Sequence, residues 1–253
     1  MTGAILTDTV TLTGRSLRHV TRSLDTIITT AVMPIAIMLL FVFVFGGAMQ
    51  TGDAAPIDYM LPSILLITIG SGVAYTSYRL FMDLQGGIFE RFQSMPIARS
   101  AALWAHVLTS LAANAVSLVL VVAVAVLMGF RSAAGVGAWL AVAGILLLYT
   151  LALTWIAVIA GLSAKSVDGA SAFSYPLIFL PFISSAFVPT DTMPGPVKWF
   201  AQYQPVTPIV NTIRDLFAQR AVTGDIWMAL AWCCGILIIA YVFAMLAYRR
   251  RMG

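Results

Sequence analysis

Six long windows between charged side chains limit what this chain can fold into: residues 26–52, 59–78, 100–130, 132–164, 169–190 and 226–248 contain no Asp, Glu, Lys or Arg. Each reaches or exceeds the ~18–20 apolar residues that a helix needs to cross the hydrocarbon core of a bilayer. Only 9% of the residues are charged, where a soluble globular chain carries roughly 25%. With 60% hydrophobic residues and a mean hydropathy of +0.96, too little polar surface remains to coat a water-soluble globule. The expected fold is therefore all-α, a polytopic membrane protein with six transmembrane helices over about residues 27–48, 59–80, 102–128, 138–162, 169–188 and 226–248. The uncharged stretch 199–213 is shorter than a span and carries Gln202, Gln204, Pro205, Pro208 and Asn211, so it is read as interfacial or re-entrant.

Basic residues set the orientation. One side of the predicted bundle collects Arg15, Arg18, Arg22, Arg79, Arg91, Arg99, Lys165, Arg249, Arg250 and Arg251, and the other has Arg131, Lys198, Arg214 and Arg220. The asymmetry places both termini in the cytoplasm of a plasma (inner) membrane and accounts for the net charge of +4 without a nucleic-acid partner. The first apolar run starts near Ile27 with no small-residue cleavage pattern behind it, and is read as a retained span. No fixed-period repeat and no soluble stretch of domain size interrupts the chain, which is read as one domain over 1–253. Small residues in 110–117, 133–144 and 157–163 suit close helix packing. The adjacent Cys233 and Cys234 are read as small packing residues.

Three segments outside the spans carry a pattern. In 9–24, Val10, Leu17, Val20 and Leu24 recur at helical spacing opposite Arg15, Arg18, His19 and Arg22, which describes a helix lying in the cytoplasmic interface, the alternative being a loose basic tail that follows the positive-inside rule. Between the second and third spans, Gly86 and Gly87 break one helix and Pro96 ends the next. The intervening 87–96 helix puts Ile88, Phe92 and Met95 on one face and Glu90, Arg91 and Gln93 around the rest. It is too short and too charged to insert, and has the character of a docking element for a soluble partner or of a helix lying on headgroups. After the fifth span, which contains Pro176 and Pro181, residues 195–220 offer Val197, Trp199, Phe200 and Tyr203 as an interfacial aromatic cluster. Thr207 and Pro208 then suggest the cap and first turn of a helix with Ile209, Ile213, Leu216 and Phe217 on one face, completing a re-entrant outer hairpin. Within it, Asn211, Arg214 and Asp215 are read as facing water or capping the hairpin, the alternative being substrate contact.

The missing residue types exclude several kinds of chemistry. No Asp, Glu, Lys or Arg lies in the middle of a window, so the chain lacks the acids that proton- or ion-coupled carriers place at mid-membrane; His106 sits near the cytoplasmic end of the third. Two distant histidines and one cysteine pair cannot compose a zinc site, and the last two spans hold no His to serve an intramembrane serine protease. A P-loop requires Gly-Lys-Ser/Thr, but Lys165 follows Ala164 and Lys198 follows Val197. Any energy for transport must come from a separate ATPase.

Two motifs carry a resemblance. Gly87-Ile-Phe-Glu-Arg-Phe-Gln-Ser-Met-Pro-Ile-Ala-Arg99 resembles the G-x-x-E-R-x-x-x-x-P-[IV]-[SA]-R cytoplasmic segment of ABC-2-type exporter membrane subunits, specifically the daunorubicin-resistance permease branch. Ser185-Ala-Phe-Val-Pro-Thr-Asp-Thr-Met-Pro194, followed by Trp199 and by Gln204-Pro-Val-Thr-Pro208 through Arg214, is similar to the same family's second signature. With the amphipathic start and basic end, the resemblance covers nearly the whole chain.

The resemblance implies a half-transporter: two permease subunits, identical or paralogous, above two P-loop ATPase subunits that carry the ATP and Mg, this chain binding no cofactor itself. It makes 87–96 the coupling helix, with Glu90 and Arg91 as polar contacts to the ATPase, Phe92 and Met95 as packing knobs, and Ile88, Pro96 and Arg99 belonging to the same coupling site. The 9–24 helix, through Arg15, Arg18 and Arg22, abuts the same partner. Spans one, two and five line the path, with Phe41, Phe43, Phe45, Tyr75, Tyr78, Phe173, Tyr175 and Phe179 as candidate wall residues, though each could equally face lipid. Pro194, Trp199, Pro205, Pro208 and Arg214 shape the outer exit. The aromatic walls favour an amphipathic drug or lipid, a lipid-linked glycan being the alternative within transport and a non-transporting membrane scaffold the alternative outside it.

Overall fold

The computed structural model describes residues 24–48, 55–87, 101–222 and 224–252. The expected interface helix over 9–24 and coupling helix over 87–96, with Arg15, Arg18, Arg22, Ile88, Glu90, Arg91, Phe92, Met95, Pro96 and Arg99, lie outside the described residues apart from an end residue or two.

All regular structure among the described residues is helical. Among the described residues four helices are long and apolar enough to cross a membrane: α2 (Pro56–Gln85), α3 (Ala101–Leu127), α4 (Val136–Ser163) and α9 (Asp225–Met252). Their ends lie within a few residues of the charges that bound the corresponding windows, because a formal charge is tolerated at the edge of an apolar slab and not inside it. A preceding α1 (Leu24–Leu39) contains Pro34 and passes into a π-helical turn, Leu40–Phe45. The fifth uncharged window becomes a series of short pieces: α5 (Val167–Ala172), α6 (Ser174–Phe179) and a 3-10 turn, Leu180–Ile183. Pro181 removes an amide donor at that turn, where the α pattern gives way to 3-10. The expected first and fifth spans thus correspond to shorter apolar stretches, Thr30–Phe45 and Val167–Ile183.

The expected hairpin consists of two short helices, α7 (Gly195–Tyr203) and α8 (Val206–Phe217). Helix α8 starts one residue before Thr207, with Pro205 at its N-cap and no side-chain cap. Thr207 does not cap it: its hydroxyl donates to the Ala201 carbonyl and ties α8 back onto α7. Ile209, Ile213 and Phe217 are buried as the periodicity predicts, and Leu216 is half-buried.

Helix α2 is the centre of the bundle. It packs against α1, α3, α4, α5 and α6, and from Met60 to Gly70 every residue is buried. Helix α9 packs mainly on α4 and leaves Trp227, Ile238, Ile239 and Phe243 exposed. An exposed apolar face of this extent on an outer helix is what a hydrocarbon environment requires. At the α2–α4 crossing, Gly161 brings the two backbones together: a Cβ there would lie 2.9 Å from the Ser77 carbonyl oxygen. The small-residue stretch 157–163 therefore does what its composition predicts.

Candidate functional site

The apolar bundle contains polar side chains that a tally of formal charges does not reveal. Thr76 on α2 donates to Ser110 on α3 at 2.7 Å, Ser110 lies 3.4 Å from Thr154 on α4, and Thr30 on α1 lies 3.1 Å from Ser117 on α3. Asn114 donates to the Ser110 carbonyl, and its Oδ1 is buried without a hydrogen-bond partner, resting on Gly72 where no Cβ would fit. These groups line a narrow cavity of about 30 Å³, which reaches Tyr75, Arg79 and His106. Between spans, such bonds average roughly 0.6 kcal/mol each, so they fix helix register more than they stabilise the fold. The recurring i, i+4 pairs Ser110/Asn114 and Thr150/Thr154 are the sequence signal that could have revealed them. His106 faces the bundle end, with Nε2 3.2 Å from an Asp83 carboxylate oxygen on α2.

The pathway candidates separate into groups. Phe41 packs against Phe45 at 5.4 Å and against Phe187 at 4.6 Å, and Phe187 stacks on Phe182 at 4.9 Å. Phe179 joins this cluster through Phe182 at 6.2 Å. The π-turn after α1 and the broken fifth segment are thereby joined by aromatic contacts. Tyr75 and Tyr78 form a separate pair at 6.0 Å, with the Arg79 guanidinium 6.0 Å from the Tyr75 ring. Phe173 packs against the core, whereas Tyr175 and Phe43 are exposed.

Of the two sequence readings for Arg214, facing water or capping the hairpin, the contacts accord with the second. It is half-buried, its Nη2 lies 3.2 Å from the Tyr59 carbonyl oxygen and 3.1 Å from that of Ser185, and its guanidinium sits 3.8 Å from the Tyr59 ring centre. Around it, Ser185 donates to Asn211 Oδ1 at 2.7 Å, and Asn211 donates to Asp225 at 2.9 Å. Gln204 donates to the Ile183 carbonyl at 2.9 Å, and Tyr59 Oη to that of Ser185 at 3.1 Å. The backbone of 183–186 leaves helical geometry after Pro181, so its carbonyls lack intrahelical partners, and α7–α8 supplies side-chain donors in their place. Arg214 therefore joins α2, the end of the fifth segment and α8. Burial pulls its guanidinium below its usual range, against the opposing influence of Tyr59 and Asp215. Of the other exit candidates, Pro194 and Pro205 stand at the N-caps of α7 and α8, Pro208 is buried, and Trp199 is 65% exposed, as an interfacial aromatic would be.

Beside this knot, a pocket of about 490 Å³ opens between the start of α2, the 130–133 turn, α8 and the start of α9. Among the described residues no group of three or more His, Cys, Asp or Glu could hold a metal ion.

The ABC-2 type transporter family model matches residues 7–218. A daunorubicin resistance ABC transporter permease protein, DrrB1 of Streptomyces coeruleorubidus, is 27% identical over 233 residues, covering 89% of this chain and 80% of that protein. A probable doxorubicin resistance ABC transporter permease protein, DrrC of Mycobacterium tuberculosis, is 24% identical over 247 residues, covering 96% of this chain and 88% of that protein.

Proposed function

The chain belongs to the ABC-2 type transporter family, and on that premise we propose that it is the permease subunit of an exporter moving an amphipathic drug or lipid-like substrate out of the cell. Hydrolysis takes place on a separate P-loop ATPase docked on the 87–96 helix. The observation that carries this reading is the extent of the family match, 7–218, which spans both the Glu90-Arg91 motif and the Pro189-to-Arg214 motif in a chain whose two lysines stand in no P-loop. Relatives named for daunorubicin and doxorubicin resistance support an amphipathic aromatic cargo, and the aromatic cluster around Phe41 and Phe187 is compatible with one.

In this reading the chain crosses the membrane six times, with the shorter Thr30–Phe45 and Val167–Ile183 stretches as the first and fifth crossings and both termini in the cytoplasm. A second permease chain, a copy or a paralogue, completes the pathway, and two ATPase chains close beneath it. Their closure pushes on the coupling helices and tilts the bundles between two packings. The α7–α8 hairpin, fixed by Arg214, shapes the outer exit.

Phe92 provides the test. If it fills a pocket on the ATPase, Phe92→Ala removes about 1–3 kcal/mol of docking energy. The expected result is a large drop in the ATPase retained by the tagged chain, together with lost ATP-driven efflux. Unchanged retention and unchanged efflux would overturn the assignment of the coupling helix.

A further inference from the structure

The narrow cavity between α1, α2 and α3 contains a hydrogen-bond demand that the described residues do not meet. Asn114 is 2% exposed, and its Oδ1 has no partner. Turning the amide over does not remove the demand: Nδ2 donates to the Ser110 carbonyl at 3.0 Å, and an oxygen in its place would face another acceptor. Nor do the neighbouring hydroxyls have a proton to give. Thr76 donates to Ser110 at 2.7 Å and Thr154 donates to the Thr150 carbonyl at 2.7 Å, so the 3.4 Å contact between Ser110 and Thr154 takes the Ser110 proton. Thr109 commits its own to the Ala105 carbonyl at 2.7 Å. A buried acceptor left empty costs the desolvation of that group, and in native structures such acceptors are served by protein or by ordered water.

The cavity sets the size and the charge of what can serve this one. Its volume of about 30 Å³ admits roughly two water molecules at the ~10–15 Å³ that each requires, and excludes a drug or a lipid headgroup. Among the described residues no carboxylate lines it, Arg79 and His106 stand in its wall, and the nearby Asp83 is engaged by His106, so a cation finds no counter-charge there. What fits is a small neutral donor. Asn114 and Ser117 lie three residues apart on one face of α3, and Ser117 Oγ is 3.1 Å from Thr30 Oγ1 on α1. A water donating to Oδ1 therefore has hydroxyl oxygens of the same cavity wall as its further partners, which meets the two to four that a buried water needs. Gly72 on α2 keeps the approach open, since no Cβ would fit against the Asn114 amide.

We propose that this cavity binds an ordered water, which donates to Asn114 Oδ1 and bridges it to the Thr30–Ser117 hydroxyl pair, joining α1 to α3 beside Gly72. Water bridges of this kind are enthalpically close to direct hydrogen bonds. The site depends on the packing of α1, α2 and α3 and not on the exporter reading, so either can fail without the other.

The chain has only two asparagines, Asn114 and Asn211, so nitrogen-15 asparagine leaves two side-chain amide signals, which an Asn211→Ser variant assigns. The test is cross-relaxation between water and the Asn114 amide protons, measured by NMR on the full-length chain in deuterated maltoside micelles. The expected result is a water cross-peak of opposite sign in laboratory-frame and rotating-frame spectra, the mark of a long-lived water and not of proton exchange. Ser110→Ala is expected to keep the peak, Gly72→Ala to reduce it at least threefold by filling the space beside Oδ1, and Thr30→Val to reduce it at least twofold by removing a bridging partner. A parent without the peak would overturn the proposal. So would a peak lost in Ser110→Ala, which would trace it to that hydroxyl, or one undiminished in Thr30→Val, which would place the water elsewhere. An Asn114 amide shift that follows sodium concentration would overturn the neutral assignment in favour of a cation.

Discussion

Arg214→Ala is expected to lower the stability of the purified chain by about 2–4 kcal/mol, the largest single-residue loss the structure predicts outside the helix crossings. The guanidinium makes two charge-assisted bonds, to the Tyr59 and Ser185 carbonyls, of a kind whose net worth is roughly 1.5–3 kcal/mol each in favourable cases. It also covers the Tyr59 ring, a contact worth on the order of 0.5–2 kcal/mol. Relief from holding a desolvated cation offsets part of this, which is why the expected net loss is below the sum. Arg214→Lys should recover less than half of it, because an ammonium is a compact point charge that cannot cover the ring and reach two carbonyls in the fork geometry. The measurement is the midpoint of thermal unfolding in detergent, followed by the intrinsic fluorescence. An alanine variant that melts with the parent would mean that the hairpin is held by Asn211, Thr207 and Gln204 alone.

Gly161→Leu is expected to cost at least as much, and to act through a different cause. Even an alanine Cβ would stand 2.9 Å from the Ser77 carbonyl oxygen and 3.1 Å from Leu80 Cδ2. Backbone cannot rotate aside, so α2 and α4 must separate along their whole contact. Overpacking of this kind costs about 1–3 kcal/mol for a small group and more for a branched one. Gly144 on the same helix is the internal control, since nothing lies within 4 Å of its Cβ position. Gly144→Ala should be neutral or slightly stabilising through helix propensity. If the two glycines tolerate leucine and alanine equally, the α2–α4 packing described here is wrong.

These two sites differ in how far the sequence reveals them. The stretch holding Gly161 is only weakly marked in advance, because small residues are common in any span: 133–144 is just as rich in them, yet nothing lies within 4 Å of a Cβ at Gly137 or Gly144. Helices α2, α3, α4 and α9 are far more evident, since the cost of a charge in hydrocarbon leaves a gap in the charge pattern as long as the span. The role of Arg214 is not evident, because its acceptors are contributed by residues 155 and 29 positions away, and no local pattern records that 183–186 leaves helical geometry and needs donors. The prolines of the fifth segment mark a break without revealing what mends it. Thr207 illustrates the same limit, since its hydroxyl reaches back to Ala201 where the local pattern suggested a cap. The network of Thr76, Ser110, Asn114 and Thr154 was missed because uncharged polar groups leave no gap in a charge tally. The motif on 87–99 is the reverse case: its residues are explicit in the sequence and matched by the family, and they fall mostly outside the described residues.

The central claim is that this permease works only with a separate ATPase. It is tested most directly by purifying the tagged chain from its native membrane in mild detergent and identifying by mass spectrometry what co-elutes in stoichiometric amount. The account predicts a soluble P-loop protein at one copy per permease chain, retained more strongly when ATP is trapped with vanadate. A chain that elutes with no ATPase under those conditions would contradict it.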